Sequence, residues 1–337
     1  MAKLSIAEAL RQAIREEMLR DERVFCIGED IGIEGGWGGA FTVTLGLSEE
    51  FGHDRIIDTP ISEIALCGMA IGAAVAGMRP IADVQYGDFL FCMMDQIANE
   101  APKLRYMSGG QVSVPMVMRA PIGSTRRGAQ HAQSLQAFFT HVPGLKVVAP
   151  STAYDAKGLL KSAVRDGNPV VFFEHKLLYG SKGPRKVEGA LSAIGEVPDE
   201  EYLVPIGKGI IRREGKNVTI VAIHRMLYTA ITAAENLAKN GVEVEIIDPR
   251  TLVPLDKDLI YGSIRKTGRL IIVEEDNLTN GWGAEIAALA ADEVFEWLDA
   301  PIKRVAAPDV PAPFAPVLEH EYLPNEEKII AAVEEIL

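Results

Sequence analysis

Apolar and polar residues alternate with two distinct periods along the first half of the chain. Residues 5–20 repeat apolar positions at helical spacing behind Ser5-Ile-Ala-Glu8, which has the form of a capping box. Runs that are apolar on both faces then alternate with helical stretches, as in a parallel sheet covered by helices. The predicted strands are 24–28, 55–58, 80–84, 114–120, 146–149 and 170–174, and the predicted helices are 62–77, 88–100, 134–140 and 153–165.

A second series of the same kind follows a change of pattern near residue 180. Residues 181–206 are charged and contain Gly and Pro, which indicates a linker. Strands are predicted at 218–223, 242–247, 269–273 and 302–305, and helices at 228–239, 256–266, 283–297 and from 325 onward. A length of 337 residues also favours two domains. We therefore predict an α/β protein with two parallel-sheet domains, residues 1–180 and 207–337.

The net charge of the chain limits the classes of partner that it is expected to bind. With 34 Lys and Arg against 47 Asp and Glu, the net charge is -13, which argues against nucleic acid and anionic membranes. The longest uncharged stretch, 64–78, is too short to span a membrane, and the first twenty residues do not resemble a signal peptide. We expect a cytoplasmic protein.

The cysteines give no sign of metal or redox chemistry. Cys26, Cys67 and Cys92 lie far apart in apolar surroundings and form no C-x-x-C pair. We expect them to be buried structural thiols in a reducing compartment. The six histidines have no ligand spacing with them, so a zinc site is not expected.

The stretch 55–77 holds the strongest candidate for chemistry. Glu63 opens a helix of small and apolar residues that includes Gly68, Gly72 and Gly77. Such residues give little side-chain burial, so their concentration predicts that another backbone passes close by. An acid in a first turn also favours the helix dipole, so Glu63 alone fits a plain core helix equally well.

Other polar side chains are expected beside Glu63 at the carboxyl edge of the first sheet, because loops leaving parallel strands share that edge. The glycine-rich loop after strand 24–28 has neither the phosphate-loop nor the dinucleotide fingerprint. The result would be a small polar set in an apolar wall. Its expected members are Glu29, Asp30, Glu63, Gln85, Phe89 and His131.

Ordered sequence blocks along essentially the whole chain add a more specific indication. They are DTPISE (58–63), DQIANEAPKLRYMSGGQ (95–111), HVPGLKVVAPSTAYDAKGLL (141–160), FFEHKLLYG (172–180), PRTLVPLD (249–256) and KTGRLIIVEE (266–275). Together they resemble the β subunit of the thiamine-diphosphate-dependent first component of 2-oxo acid dehydrogenase complexes. The resemblance implies a transketolase-like pyrimidine-binding domain followed by a transketolase C-terminal-like domain.

The resemblance also implies roles for individual residues. Glu63 matches the acid that hydrogen-bonds the cofactor's aminopyrimidine, and Phe89 matches the aromatic residue that stacks on that ring, with Gln85 and Ile61 nearby. His131 matches the histidine that handles protons during acyl transfer to the lipoyl group. Without the resemblance, Phe89 fits a core aromatic and His131 a surface-loop histidine.

Three positions carry weaker or altered signals. The usual H-S-Q-S reads His131-Ala132-Gln133-Ser134 here, which puts the local hydrogen bonding of the histidine in doubt. Asp166 and Asn168 match positions that help to hold a monovalent cation such as K⁺ in some relatives, although a simple turn explains them equally well. His224 stands where a small residue, often glycine, is usual.

Half of such an active site is missing from the sequence. Thiamine enzymes anchor the diphosphate through Mg²⁺ with a G-D-G motif, which does not occur in this chain. The resemblance therefore implies a separate α subunit that holds Mg²⁺, in an α₂β₂ heterotetramer with a second β subunit. The chain alone should be inactive. Its second domain is expected to carry no catalytic residue and to dock a lipoyl acyltransferase core.

The expected activity is oxidative decarboxylation of a 2-oxo acid, pyruvate first, with acyl transfer to lipoamide. The alternatives are an acetoin dehydrogenase β subunit and a catalytically silent β subunit that binds partners. Transketolase and 1-deoxyxylulose-phosphate synthase share both modules but carry the metal-binding module in the same chain. A nicotinamide dehydrogenase would need a dinucleotide fingerprint that the sequence does not contain.

Overall fold

The computed structural model describes residues 1–180 and 193–337. The predicted linker thus lies partly outside the described residues, over 181–192. The chain divides into two compact units: residues 1–122 with 138–206, and residues 123–137 with 207–337. We describe each unit by itself.

A parallel sheet forms the centre of the first unit. Its strands hydrogen-bond side by side in the order β6-β7-β5-β4-β2-β3. All of these pairs are parallel, and most strand residues are buried. The strands are β2 (Val24–Gly28), β3 (Ile56–Asp58), β4 (Arg79–Asp83), β5 (Val117–Ile122), β6 (Lys146–Val148) and β7 (Val170–His175). They confirm the six predicted strands, with ends that differ from the prediction by at most three residues.

Four of the five helices predicted for the first half are present, and two of the α-helices found there were not predicted. The capping box at Ser5 is present, with the Ser5 hydroxyl accepting from the Glu8 N–H and the Glu8 carboxylate accepting from the Ser5 N–H. The α-helices are α1 (Ile6–Arg20), α2 (Leu47–Phe51), α3 (Glu63–Val75), α4 (Ala101–Met107), α5 (Gln136–Thr140) and α6 (Ala153–Arg165). The single helix predicted over 88–100 is instead a 3₁₀ helix, Gly87–Met93, and a π-helix, Gln96–Glu100, which leads into α4. A further 3₁₀ turn spans Lys176–Leu178.

Two short strands near the ends of the first unit were not predicted. β1 (Ala2–Leu4) pairs antiparallel with β8 (Gly195–Val197), so part of the predicted linker is a strand. Val197 and Val204 are buried, and Val204 packs against Gly158 of α6.

The second unit is built around another largely parallel sheet. Its strand order is β14-β13-β10-β11-β9, in which only β9 runs antiparallel to its neighbour. The strands of this unit are β9 (Ile210–Arg213), β10 (Val218–Ala222), β11 (Val244–Asp248), β12 (Thr251–Val253), β13 (Leu270–Asn277) and β14 (Lys303–Ala307). The helices are α7 (His224–Ala238), α8 (Lys257–Thr267), α9 (Trp282–Glu293), α10 (Pro316–Tyr322) and α11 (Glu326–Ile336), with a 3₁₀ turn at Phe295–Trp297. The predicted strands and helices are present, whereas β9, β12 and α10 were not predicted.

The described residues contain no helix that is long and apolar enough to cross a bilayer. The expectation of three buried thiols was wrong for one of them. Cys26 and Cys67 are buried, but Cys92 is exposed, because it lies with Phe91 on the outer side of the 3₁₀ helix. His224 is the first residue of α7 and has a φ of 51°, in the left-handed region where glycine is favoured. This backbone conformation fits the expectation that glycine is often found at this position.

Candidate active site

Two acids meet where β2 and β3 end in the first unit. Glu29 follows β2 directly, and its carboxylate accepts a hydrogen bond from the Ser62 N–H at the start of α3. Burial and the charge of Glu63 raise the pKa of Glu29 above its usual value. Its Oε1 is buried and has no hydrogen-bond partner among the described residues. The carboxyl groups of Glu29 and Glu63 therefore lie close enough for the charge of Glu63 to act on Glu29.

Gln85 ties the loop after β4 to the loop after β2. Its Nε2 donates to the Glu29 carbonyl at 3.1 Å and lies 3.5 Å from a carboxylate oxygen of Asp30. The two strand ends approach so closely that a Cβ on Gly28 would lie 2.8 Å from the Asp83 carbonyl oxygen. A glycine at position 28 therefore permits the contact that brings the amide next to the acids.

Phe89 belongs to an aromatic cluster in the same unit. Its ring meets Tyr86 edge-on at 5.8 Å, and Tyr86 meets Phe41 at 6.0 Å. Phe41 in turn stacks on Tyr179 at 4.6 Å. The Phe89 side chain is only half-buried, so part of the ring can be covered by a ligand.

A buried charge network supports this cluster, and the sequence analysis missed it. Arg119 of β5 binds both carboxylate oxygens of Glu174 of β7, at 2.7 and 2.6 Å, and also pairs with Asp83. The Tyr179 hydroxyl donates to Glu174. Burial and the charge of Glu174 raise the pKa of Tyr179. The sequence did contain an indication of this network, because Arg119 and Glu174 each lie within an otherwise apolar strand and buried charges need partners.

His131 belongs to the other unit. It is half-buried in the loop 123–137, where its main-chain N–H donates to the Gly128 carbonyl at 3.2 Å. The six residues expected at one sheet edge are thus divided, with five in the first unit and His131 in the second.

The helix that carries Glu63 leaves an apolar face uncovered. Apart from the helix's own backbone and chain neighbours, no described residue has an atom within 4 Å of a Cβ placed on Gly68, Gly72 or Gly77, so the described residues do not supply the expected close backbone. Ile64 and Met69 on α3 are exposed, and Ile61 just before it is 83% exposed. Exposed apolar surface next to a polar site is typical of an interface with a partner.

Asp166 and Asn168 form a closed turn. One carboxylate oxygen of Asp166 accepts from the Asn168 N–H and Nδ2, and the other pairs with Lys146. Burial raises the pKa of Asp166, but the bonds from Lys146 and Asn168 outweigh it and lower the value. The Asp166 carbonyl accepts from Arg79. No group of three His, Cys, Asp or Glu side chains within 1–180 and 193–337 is arranged to hold a metal.

Comparison with known families agrees with the two parallel-sheet domains. Residues 2–182 match the family described as transketolase, pyrimidine binding domain, and residues 207–329 match the transketolase C-terminal domain. A solved split-gene transketolase, described as an inactive β4 tetramer, covers 100% of this chain and 99% of its own with a TM-score of 0.77. Its identity is 23%, which supports the fold alone. Fold and site thus define a transketolase-like protein.

Similar curated proteins indicate which family of transketolase-like proteins the chain belongs to. The chain is 46% identical to the acetoin:2,6-dichlorophenolindophenol oxidoreductase subunit beta of Bacillus subtilis, with 99% of this chain and 97% of the relative covered. It is also 46% identical to the 2-oxoisovalerate dehydrogenase subunit beta of the same organism, with 100% and 99% covered. A pyruvate dehydrogenase E1 component subunit beta of Rickettsia felis is 45% identical, with 99% and 98% covered. The chain belongs to this family of 2-oxo acid and acetoin dehydrogenase β subunits, as the sequence blocks predicted.

Membership implies dependence on thiamine diphosphate and an α-subunit partner. The first unit suits the pyrimidine end of that cofactor. It offers acids beside an unpartnered buried oxygen, an amide, a half-buried aromatic ring and an exposed aliphatic side chain.

Proposed function

We propose that this chain supplies the pyrimidine side of the active site of a 2-oxo acid dehydrogenase first component, with pyruvate as substrate. The observation that carries the proposal is that Glu29 lies close to Glu63 and accepts from Gln85, four residues before the half-buried Phe89. Acetoin is the second candidate substrate, because a relative named for acetoin is as similar as those named for 2-oxo acids.

In this proposal each residue has a defined task. Thiamine diphosphate, when bound, supplies the carbanion and electron sink of the reaction. Glu63 donates a hydrogen bond to a ring nitrogen of the pyrimidine, while Phe89 and Ile61 provide apolar contacts and Gln85 orients the loop beside them. Glu29, whose pKa is raised by burial and by the charge of Glu63, lies next to Glu63. His131 gives or takes a proton during acyl transfer to the lipoyl group.

Partners complete the site. A separate α subunit holds Mg²⁺ and the diphosphate, and the uncovered face of α3 fits a subunit contact. We propose an α₂β₂ assembly with a β–β contact, and a lipoyl acyltransferase core as acceptor. Asp166 and Asn168 remain candidates for a K⁺-dependent turn, in which Lys146 already balances the carboxylate. The proposed site of action is the cytoplasm.

The decisive experiment is reconstitution with a co-expressed α subunit, assayed with pyruvate, 2-oxoisovalerate and acetoin. Glu63→Gln should lower turnover about a hundredfold or more, since the acid acts on the cofactor directly. Glu49→Gln, an exposed acid in the first turn of α2, is the matched control and should leave turnover unchanged. Full turnover in Glu63→Gln would show that the assigned role is wrong. Absence of turnover with all three substrates would favour the silent partner-binding subunit.

A further inference from the structure

The loop that carries His131 is held to the second unit through its main chain. We call residues 123–137 the histidine loop. Three of its N–H groups donate to carboxylates of the C-terminal half of the chain. The pairs are Ser124 with Glu275 Oε1 at 2.5 Å, Arg126 with Glu319 Oε2 at 2.6 Å, and Ala137 with Asp276.

The three acids, which we call the carboxylate clamp, are unusually buried. Glu275, Asp276 and Glu319 are 8%, 7% and 6% exposed. Burial of a carboxylate is unfavourable unless donors replace its water, and main-chain N–H groups are such donors. The Oδ2 of Asp276 nevertheless has no hydrogen-bond partner among the described residues. The second unit therefore buries three carboxylates, at a cost in stability, at the positions where main-chain N–H groups of the histidine loop need acceptors.

The clamp acts close to His131 in the sequence. On one side, Arg126 has a φ of 59°, a strained conformation for a side chain of its size, and its N–H is the donor to Glu319. On the other side, Ala132 is buried in an apolar cluster. The remaining members of that cluster are Ala307, Ala312, Tyr322 and Leu323.

One helix serves both contacts. Glu319 and Tyr322 lie three residues apart on α10, so they share a face of that helix. Glu319 binds the loop before His131, and Tyr322 packs in the cluster around Ala132 just after it. The buried side chain of Ala132 is a methyl group, which packs in this cluster without burying a hydroxyl.

We propose that Glu275, Asp276 and Glu319 are positioning residues for His131, so that the second unit contributes to acyl transfer by holding the histidine loop. This inference rests on the proposed role of His131. It gives the second domain a part in the reaction beyond subunit contact and docking, although none of the three acids need touch the substrate.

The first test measures the loop itself in the full-length chain. Hydrogen exchange at single-residue resolution should show the Arg126 N–H exchanging about tenfold or more faster in Glu319→Ala, because its buried acceptor is lost. Glu319→Gln keeps a carbonyl acceptor and should restore most of the protection. Glu321→Ala, exposed on the same helix, is the control and should not change exchange. Unchanged protection in Glu319→Ala, or failure of Glu319→Gln to restore what Glu319→Ala loses, would overturn the clamp.

The second test separates positioning from general stability in the α-reconstituted enzyme. Glu319→Ala should lower lipoyl acylation about tenfold, while decarboxylation coupled to 2,6-dichlorophenolindophenol stays near the unmodified rate. In a His131→Ala background, Glu319→Ala should cause no further loss, because both changes act through the same side chain. Multiplicative losses, or a parallel fall in both half-reactions, would overturn the inference. Normal acylation by His131→Ala alone would instead refute the proposed role of His131, whatever the exchange data show.

Discussion

The protonation of Asp276 makes the sharpest quantitative prediction. Burial is the largest cause that raises the pKa of Asp276, and the negative charge of Glu274 is the next; together they bring it to about 7. Hydrogen bonds from the main-chain N–H groups of Asn277 and Ala137 and the charge of Arg304 act in the opposite direction. In the unfolded chain the carboxyl returns to its ordinary value of 3.8. Between these values the folded state holds a proton that the unfolded state has lost, so stability must fall as the pH rises through this window.

The magnitude follows from the size of that window. At 1.36 kcal/mol per pH unit, a pKa of about 7 against 3.8 corresponds to about 4 kcal/mol of destabilisation above pH 7, and to none below pH 4. Asp276→Asn cannot ionise. Its stability relative to the unmodified chain should therefore rise by up to about 4 kcal/mol from pH 4 to pH 8.

Chemical denaturation of both chains at several pH values between 4 and 8 measures this difference. Because the chain has two compact units, the transition should be followed by hydrogen exchange of β13 and α10, which report on the second unit. Asp292→Asn, at an exposed position in α9, is the matched control. A difference between Asp276→Asn and the unmodified chain that is constant across the pH range would refute the reasoning.

Three further predictions concern the first unit. Arg119→Met should destabilise it by about 3–5 kcal/mol, because the buried Glu174 loses its cation, whereas Arg127→Met at an exposed loop position should change thermal unfolding little. Phe89→Ala should weaken thiamine diphosphate binding to the reconstituted enzyme about tenfold with an unchanged circular dichroism spectrum; unaltered affinity would leave Phe89 as a core aromatic. A thiol reagent should modify Cys92 rapidly in the native chain, whereas burial raises the pKa of the other two cysteine thiols to about 12, so fast labelling of all three would contradict the described burial.

Local pattern was sufficient for most of the secondary structure. The capping box at Ser5 and the apolar strands are short-range features, so β2 and α1 begin and end close to the predicted residues. The region 88–100 departs from the prediction because apolar spacing alone does not distinguish 3₁₀, α and π hydrogen bonding. The short strands β1 and β8 depend on a partner almost 200 residues away, which no local window contains.

The sequence by itself also determined the family, because ordered blocks with steady spacing carry that information without coordinates; the site residues named from those blocks stay a prediction. Tertiary structure decided how these residues are supported. Arg119 and Glu174 are 55 residues apart, and Arg126 and Glu319 are 193 apart, yet each pair is in direct contact. Periodicity indicates which face of an element is buried. Which distant carboxylate meets a given cation or N–H depends on how strands and loops pack together in three dimensions.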